Sequence, residues 1–304
     1  MNSDAFYEWL LLQGYASSTA RQRPKDAGHY LLWLQQAGHT AQGATYGIVM
    51  DYVAYLRAAG ISGVTIAKKL RSIGQYYHWQ GWDNPCRSIR IMPSPSTCAP
   101  LLDAVMLDRF YQTYSAEKTG THAGYYYHSD KLILGLIIYQ GLDRPDIYGL
   151  LCRHIDLEKG TIYIQGSSRS NSRELSLTAS QVLPLHHYVH HIRPELLKKP
   201  KSVNYTPIQE SEKLFVPQCE SPDRLAKQWK KLKGKCITHG KSLGYRVYHL
   251  RQLRHSRLSI WAGAHDIRKA QYLAGFKTVR GIERYQEMEI ENLQQQLKQY
   301  HPLQ

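Results

Sequence analysis

Pro85, Pro93, Pro95 and Pro100 all fall within "NPCRSIRIMPSPSTCAP", residues 84–100, and the apolar periodicity on either side stops there. Proline lacks the backbone N–H and its ring clashes with the preceding helical turn, so no helix runs through such a stretch. The 304 residues therefore read as two parts, 1–90 and 101–304, joined by an extended, partly basic linker at 91–100.

The first part reads as all helical. "DAFYEWLLLQ" gathers its apolar side chains on one face. "SSTARQRPKDAGHYLLWLQQAG", "TYGIVMDYVAYLRAAG" and "SGVTIAKKLRSIGQYYHWQGW" share one grammar: a small polar start, helical periodicity, a glycine stop. Four such segments make a compact helical bundle.

The second part opens with the helical patterns "LLDAVMLDRFYQTYS" and "HSDKLILGLIIYQGL". Residues 161–165 then alternate and are β-branched, a serine-rich turn follows, and "RELSL" alternates again, which predicts a β-hairpin with a polar, basic tip. "QVLPLHHYVHHIRPELLKK" and the basic "DRLAKQWKKLKGK" return to helix, and the helical pattern continues to the end. The fold class expected is mainly α with one small hairpin or sheet.

The chain carries 39 Lys and Arg against 24 Asp and Glu, a formal net charge of +15. That excess favours a polyanionic partner, of which nucleic acid is the commonest. A membrane surface is the other polyanion, but neither a basic amphipathic helix nor a lipid anchor is visible, and no apolar run is long enough to span a bilayer. The N-terminal stretch "MNSDAFYEWLLLQGY" carries acids and no basic leader. The five cysteines are odd in number, widely spaced and without a C-x-x-C pair, so neither a zinc site nor a disulfide framework is expected. A reducing, cytoplasmic setting is expected from the cysteines, and a nucleoid-associated one if the polyanionic partner is DNA.

Chemistry is carried by "HLRQLRHSRLSIWAGAHDIRKAQYLAGFKTVRGIERY", residues 249–285. A tyrosine hydroxyl can attack a phosphodiester if it is held in line and activated, since its free pKa is about 10. Arginine forks suit the equatorial oxygens of the transition state, and an acid must protonate the departing oxygen. With arginines flanking the phosphate no metal is required, and no carboxylate cluster for Mg²⁺ is visible.

These residues, in this order, resemble the tyrosine recombinases of the phage-integrase and Xer type. "TIAKKLRSIGQYYHWQGWDNP" is similar to the end of that family's N-terminal core DNA-binding bundle, a SAM-like fold. "YQGLDRPDIYGLLCRHIDLEKGTIYIQG" resembles the segment bearing the first catalytic arginine and the hairpin, and 249–285 resembles the arginine box running to the nucleophile. The resemblance implies a catalytic domain over 101–304 that cuts and rejoins a double-stranded DNA site through a 3′-phosphotyrosyl link. It implies no cofactor, a homotetramer on two sites, and a C-terminal helix at 287–300 docked on a neighbouring subunit.

Carried over by position, Tyr285 is the nucleophile. "LRHS" makes Arg254 the second arginine with His255 beside it, while a frame shifted by three makes it Arg251; on a helix both can touch one phosphate. The slot of the first arginine holds Asp143, with Arg144 next to it. The lysine expected on the hairpin is replaced by Ser167, leaving Arg169 or Arg173 to reach the phosphate, and the His/Trp slot before the nucleophile holds Phe276. His255, or His249 nearby, would supply proton chemistry. Contacts to the DNA backbone are expected from Lys68, Lys69 and Arg71, from Arg87 and Arg90 in the linker region, from Arg169 and Arg173, and from Lys230 and Lys231. The departures leave an alternative open: a catalytically altered or inactive DNA-binding relative of the same fold.

Overall fold

The computed structural model describes residues 2–92, 99–115, 121–198, 212–215 and 222–286. The remainder of the expected linker at 93–98 and the expected C-terminal helix at 287–300 lie outside the described residues. The chain divides into two compact units, Met1–Cys98 and Ala99–Gln304.

The first unit is four helices, α1 (Ser3–Leu12), α2 (Ser17–Gln36), α3 (Tyr46–Ala58) and α4 (Gly63–Gln80). The side chains of Asn2, Thr45 and Ser62 accept the first free N–H groups of α1, α3 and α4. Gly81 ends α4 in the left-handed conformation, φ 71°, where a Cβ would be strained. Pro24 lies inside α2 and is buried there, so this proline does not end its helix. The core is aromatic: Phe6, Tyr30, Tyr52 and Tyr77 are buried with Leu10, Val53 and Ile66. The phenol of Tyr77 donates to the carbonyl of Ala41 at 2.6 Å, which satisfies a polar group the bundle must bury. Asp26 is buried as well, accepting from Gln22 at 3.0 Å and Ser72 at 3.0 Å with Lys69 at 3.5 Å.

The second unit runs α5 (Ala104–Thr113), α6 (Thr121–Ile138), α7 (Arg144–Gly149), β1 (Ile155–Asp156), β2 (Thr161–Ile164), β3 (Arg173–Ser176), α8 (Ala179–His187), α9 (Arg193–Lys198), α10 (Pro222–Ser242), α11 (Leu250–Ala264) and α12 (Ile267–Ala274); residues 280–286 are helical again. The sheet is antiparallel in the order β1-β2-β3, with Ile162 opposite both Ile155 and Leu175. The hairpin stands where the alternation placed it. β1, two residues long, is too short to show an alternation in the sequence. The core of this unit collects Leu107, Phe110, Ile133, Ile137, Ile147, Ile162, Leu232, Cys236 and Leu253. Cys86, Cys152 and Cys236 are free thiols.

Replacing Asp26 with Ala strips an acceptor from the buried Ser72 hydroxyl and a counter-ion from Lys69. It should cost about 1–3 kcal/mol, read as a lower urea midpoint, and an unchanged midpoint would refute the role given to this carboxylate.

Candidate functional site

Three segments distant in sequence meet around α7. Asp143 accepts the N–H of Arg144 at 2.8 Å and so caps the helix, with Pro145 in its first turn. Arg144, half-buried, lies over the Tyr148 ring at 5.9 Å. From the other face of α7, Asp146 takes Nη2 of Arg173, the first residue of β3, at 2.9 Å. Arg173 was expected to face DNA, as a backbone contact or a phosphate ligand. Its side chain is 0% exposed and committed to Asp146 and the Asn171 carbonyl, so it is a structural cation instead. Arg169 stays exposed at the hairpin tip, where Ser167 Oγ accepts the N–H groups of Arg169 and Ser170, both at 3.1 Å.

The hairpin is fastened to the turn after α12. Asn171 N–H donates to the Gly275 carbonyl at 2.9 Å, Asn171 Nδ2 donates to the Phe276 carbonyl at 3.3 Å, and Ser170 pairs with Phe276 as an isolated bridge. Gly275 adopts φ 72°, and the Arg173 guanidinium occupies the space a Cβ would need.

α11 supplies the arginines. His249 caps it: Nδ1 accepts the Gln252 N–H at 2.9 Å. Arg251 is exposed. Arg254 is mostly buried, 12% exposed; its Nε donates to the Gly141 carbonyl at 2.8 Å and its Nη1 lies 3.9 Å from Asp143. Burial lowers the Arg254 pKa below the usual arginine range, and Asp143 and Tyr285 oppose that shift. A cavity of about 230 Å³ is lined by Asp143, Arg144, Lys233, His249, Arg251 and Arg254, with Trp229 and Leu250 on its wall. Arg144, Arg251 and Arg254 thus share one small cavity, so the two frames for the second arginine need not exclude each other.

Tyr285 does not line that cavity. It is 1% exposed, packed with Leu258, Trp261, Ala270 and Ile282. Its ring stacks on Phe276 at 6.2 Å and meets His255 edge-on at 5.5 Å, and its hydroxyl accepts from Arg284 Nη2 at 3.3 Å. Arg254 joins the two regions: it walls the cavity and lies 5.8 Å from the Phe276 ring, which stacks on Tyr285. Burial first, and then Arg254, Arg284, Arg251 and His249, push the His255 pKa down to about 4, so the imidazole beside Tyr285 is neutral at neutral pH.

In the first unit Lys68, Arg71, Arg87 and Arg90 are exposed, and Arg71, Arg87 and Arg90 line a cavity of about 700 Å³ with His78 and Trp82. Lys69 is only 15% exposed and faces Asp26, so it is withdrawn from the DNA contact expected of it. Lys230 and Lys231 are exposed on α10. In the sequence Lys233 is one cation of a basic helix. Its place in the cavity follows from Trp229 one turn earlier on the same face, a spacing visible in the sequence once Trp229 is known to point inward.

No family model matches the chain. Its sequence is 24% identical to the tyrosine recombinase XerD of Bifidobacterium longum over 95% of this chain and 93% of that protein. It is 23% identical to the tyrosine recombinase XerC of Natranaerobius thermophilus, over 85% and 83%. Among solved structures it resembles the Tn1549 transposon integrase in complex with a circular intermediate DNA, with TM-score 0.68 at 13% identity over 96% of this chain and 98% of that one. It also resembles the XerH site-specific recombinase bound to a palindromic substrate, with TM-score 0.62 at 15% identity over 88% and 75%. The fold is that of the integrase-type recombinases. The chain's sequence relatives include tyrosine recombinases of the Xer type.

Because the folded pKa of His255 lies below the ordinary value of about 6.5, the unfolded chain binds the proton more readily. The contribution of His255 to stability is intact above pH 6.5 and is lost as pH falls toward 4. His255→Gln should flatten the fall in denaturation midpoint across that window; parallel curves for parent and variant would count against a buried neutral imidazole.

Proposed function

We propose that the chain is a site-specific DNA recombinase that cuts and rejoins double-stranded DNA through Tyr285. The observation that carries this reading is the convergence of Arg144, Arg251 and Arg254, from two helices, on one small cavity, with Arg254 also beside the Phe276 ring that stacks on Tyr285. Guanidinium groups in a partly water-excluded pocket match the charge that develops on phosphorus during in-line attack.

The scissile phosphate would occupy the cavity, held by the three arginines. Tyr285 would leave its apolar seat to attack, since its hydroxyl is buried beside Arg284. Its Oη–P bond forms as the P–O5′ bond breaks, leaving a 3′-phosphotyrosyl link and a 5′ hydroxyl. Attack by a partner strand's 5′ hydroxyl reverses the step; the link conserves the bond energy, so no cofactor is consumed. Lys68, Arg71, Arg87 and Arg90 in the first unit, with Arg169, Lys230 and Lys231 in the second, would hold the backbone through salt-dependent contacts. A homotetramer on two sites, acting on cytoplasmic, nucleoid-associated DNA, completes the reading.

A second reading is favoured by one observation. Asp143 puts a carboxylate into the same cavity, 3.9 Å from Arg254, where it competes with a phosphate for the guanidinium; that would suit a relative that binds DNA without cutting it. One experiment separates the two. A duplex site recovered by selection from a random pool is nicked just 3′ of the scissile phosphate, so that the cut fragment escapes and the covalent adduct is trapped. The parent should form an adduct stable to SDS and Tyr285→Phe none, while Arg254→Ala should slow trapping by about 10²–10³-fold. Tight binding without an adduct would favour the second reading.

A further inference from the structure

Proton inventory in the arginine-lined cavity leaves one side chain whose chemistry nothing above uses. When a P–O bond breaks, the departing alkoxide is a strong base and needs a proton as it leaves. The Arg144, Arg251 and Arg254 guanidinium groups hold their protons too tightly to give one up. His249 accepts the Gln252 N–H through Nδ1, which places its own proton on Nε2. In that tautomer it offers the phosphate a hydrogen bond, and becoming a proton donor would require giving up the bond that caps α11. Asp143 is engaged by the Arg144 N–H and faces Arg254. The remaining cavity residue that carries a transferable proton is Lys233.

On the proposed strand-cutting reading, we propose that Lys233 is the general acid that protonates the leaving 5′ oxygen. α10 holds it there from two sides. Leu232 and Cys236 are both fully buried and set the rotation of the helix. Lys235, 2.6 Å from the buried Asp130, fixes the adjoining face. One turn before Lys233, Trp229 meets the Tyr148 ring edge-on at 6.0 Å, and Tyr148 in turn carries the Arg144 guanidinium. Lys233 and Arg144 are thereby referred to one aromatic pair, a lysine and an arginine placed for the same phosphate. Lys233 itself is exposed on the helix, so it is free to be exchanged without disturbing the core.

In the cleavage step the electron pair of the breaking P–O5′ bond goes to O5′. O5′ takes a proton from the Lys233 ammonium, leaving a neutral amine, and the Tyr285 phenol proton passes to water. In the rejoining step the amine takes the proton of the attacking 5′ hydroxyl, the phenol leaving group regains one from water, and both side chains return to their starting forms.

A thiolate leaves without a proton, which provides the test. Trapping of the covalent adduct is followed on the selected nicked duplex and on the same duplex with sulfur replacing the bridging 5′ oxygen. Lys233→Ala and Lys233→Arg should both slow trapping on the oxygen substrate by about 10²–10⁴-fold, and both should approach the parent's rate on the sulfur substrate. Lys233→Arg keeps the charge and removes only the transferable proton. Parent-like trapping by Lys233→Arg on the oxygen duplex would overturn the assignment, as would equal losses on the two duplexes, which mark a binding or placement role. If the parent itself traps neither duplex, the strand-cutting reading falls and this assignment with it.

Discussion

The buried ion pair between Arg173 and Asp146 is the constraint on which the rest of the site depends. One guanidinium holds the start of β3, the side of α7 and the space under the Gly275 turn. Removing one member of such a pair strands the other charge in the interior, at a cost of about 3–5 kcal/mol. Its value here is positional. With α7 fixed, Arg144 meets Tyr148 at the cavity; with the Gly275 turn fixed, Phe276 lies where it stacks on Tyr285. A Cβ at Gly275 would meet both a left-handed backbone and the guanidinium, so two independent reasons require glycine at that position.

The gathered cations must be tolerated while no phosphate is present. Arg254 is desolvated, and a buried cation without an acceptor is costly. The fold supplies acceptors from its own backbone: the Gly141 carbonyl for Arg254 and the Ile138 carbonyl for Arg257. The Ile138 carbonyl lies at the end of α6, where helical C=O groups lack intrahelical partners, and the Gly141 carbonyl lies in the turn just beyond it. Two unmet needs, orphan carbonyls and buried guanidinium groups, therefore satisfy each other. This contact also sets the distance between α6 and α11 and leaves the outer nitrogens of Arg254 facing the cavity.

Much of this was legible in the sequence, and the parts that were not have physical reasons. Polar starts and glycine stops delimited the four helices of the first unit, because caps act within a few residues of the chain. The hairpin and the arginine box were equally local. What escaped were tertiary properties. Arg173 and Lys69 read as surface cations because a sequence does not display their partners, Asp146 and Asp26, which are 27 and 43 residues away. Lys233 was lost in a basic helix: on α10 the exposed Lys230 and Lys231 and the cavity-facing Lys233 are chemically alike, and only the inward Trp229 tells them apart. Pro24 shows the converse, a residue with a strong local preference overridden by a helix whose other contacts outweigh the lost hydrogen bond.

Asp143 occupies the position at which an arginine was expected, and the structure gives it two tasks. As the cap of α7 it orients the helix that carries Arg144 in the first turn, so the displaced arginine is delivered to the cavity by the residue that displaced it. As a carboxylate 3.9 Å from Arg254 it is an internal counter-ion for a guanidinium that is 12% exposed. A phosphate entering the cavity must compete with that carboxylate, because two anions close together cannot both be neutralised by one guanidinium. Asp143 is 39% exposed, and because its Oδ1 also accepts the Arg144 N–H, a shift of the carboxylate away from Arg254 would loosen the cap of α7 as well.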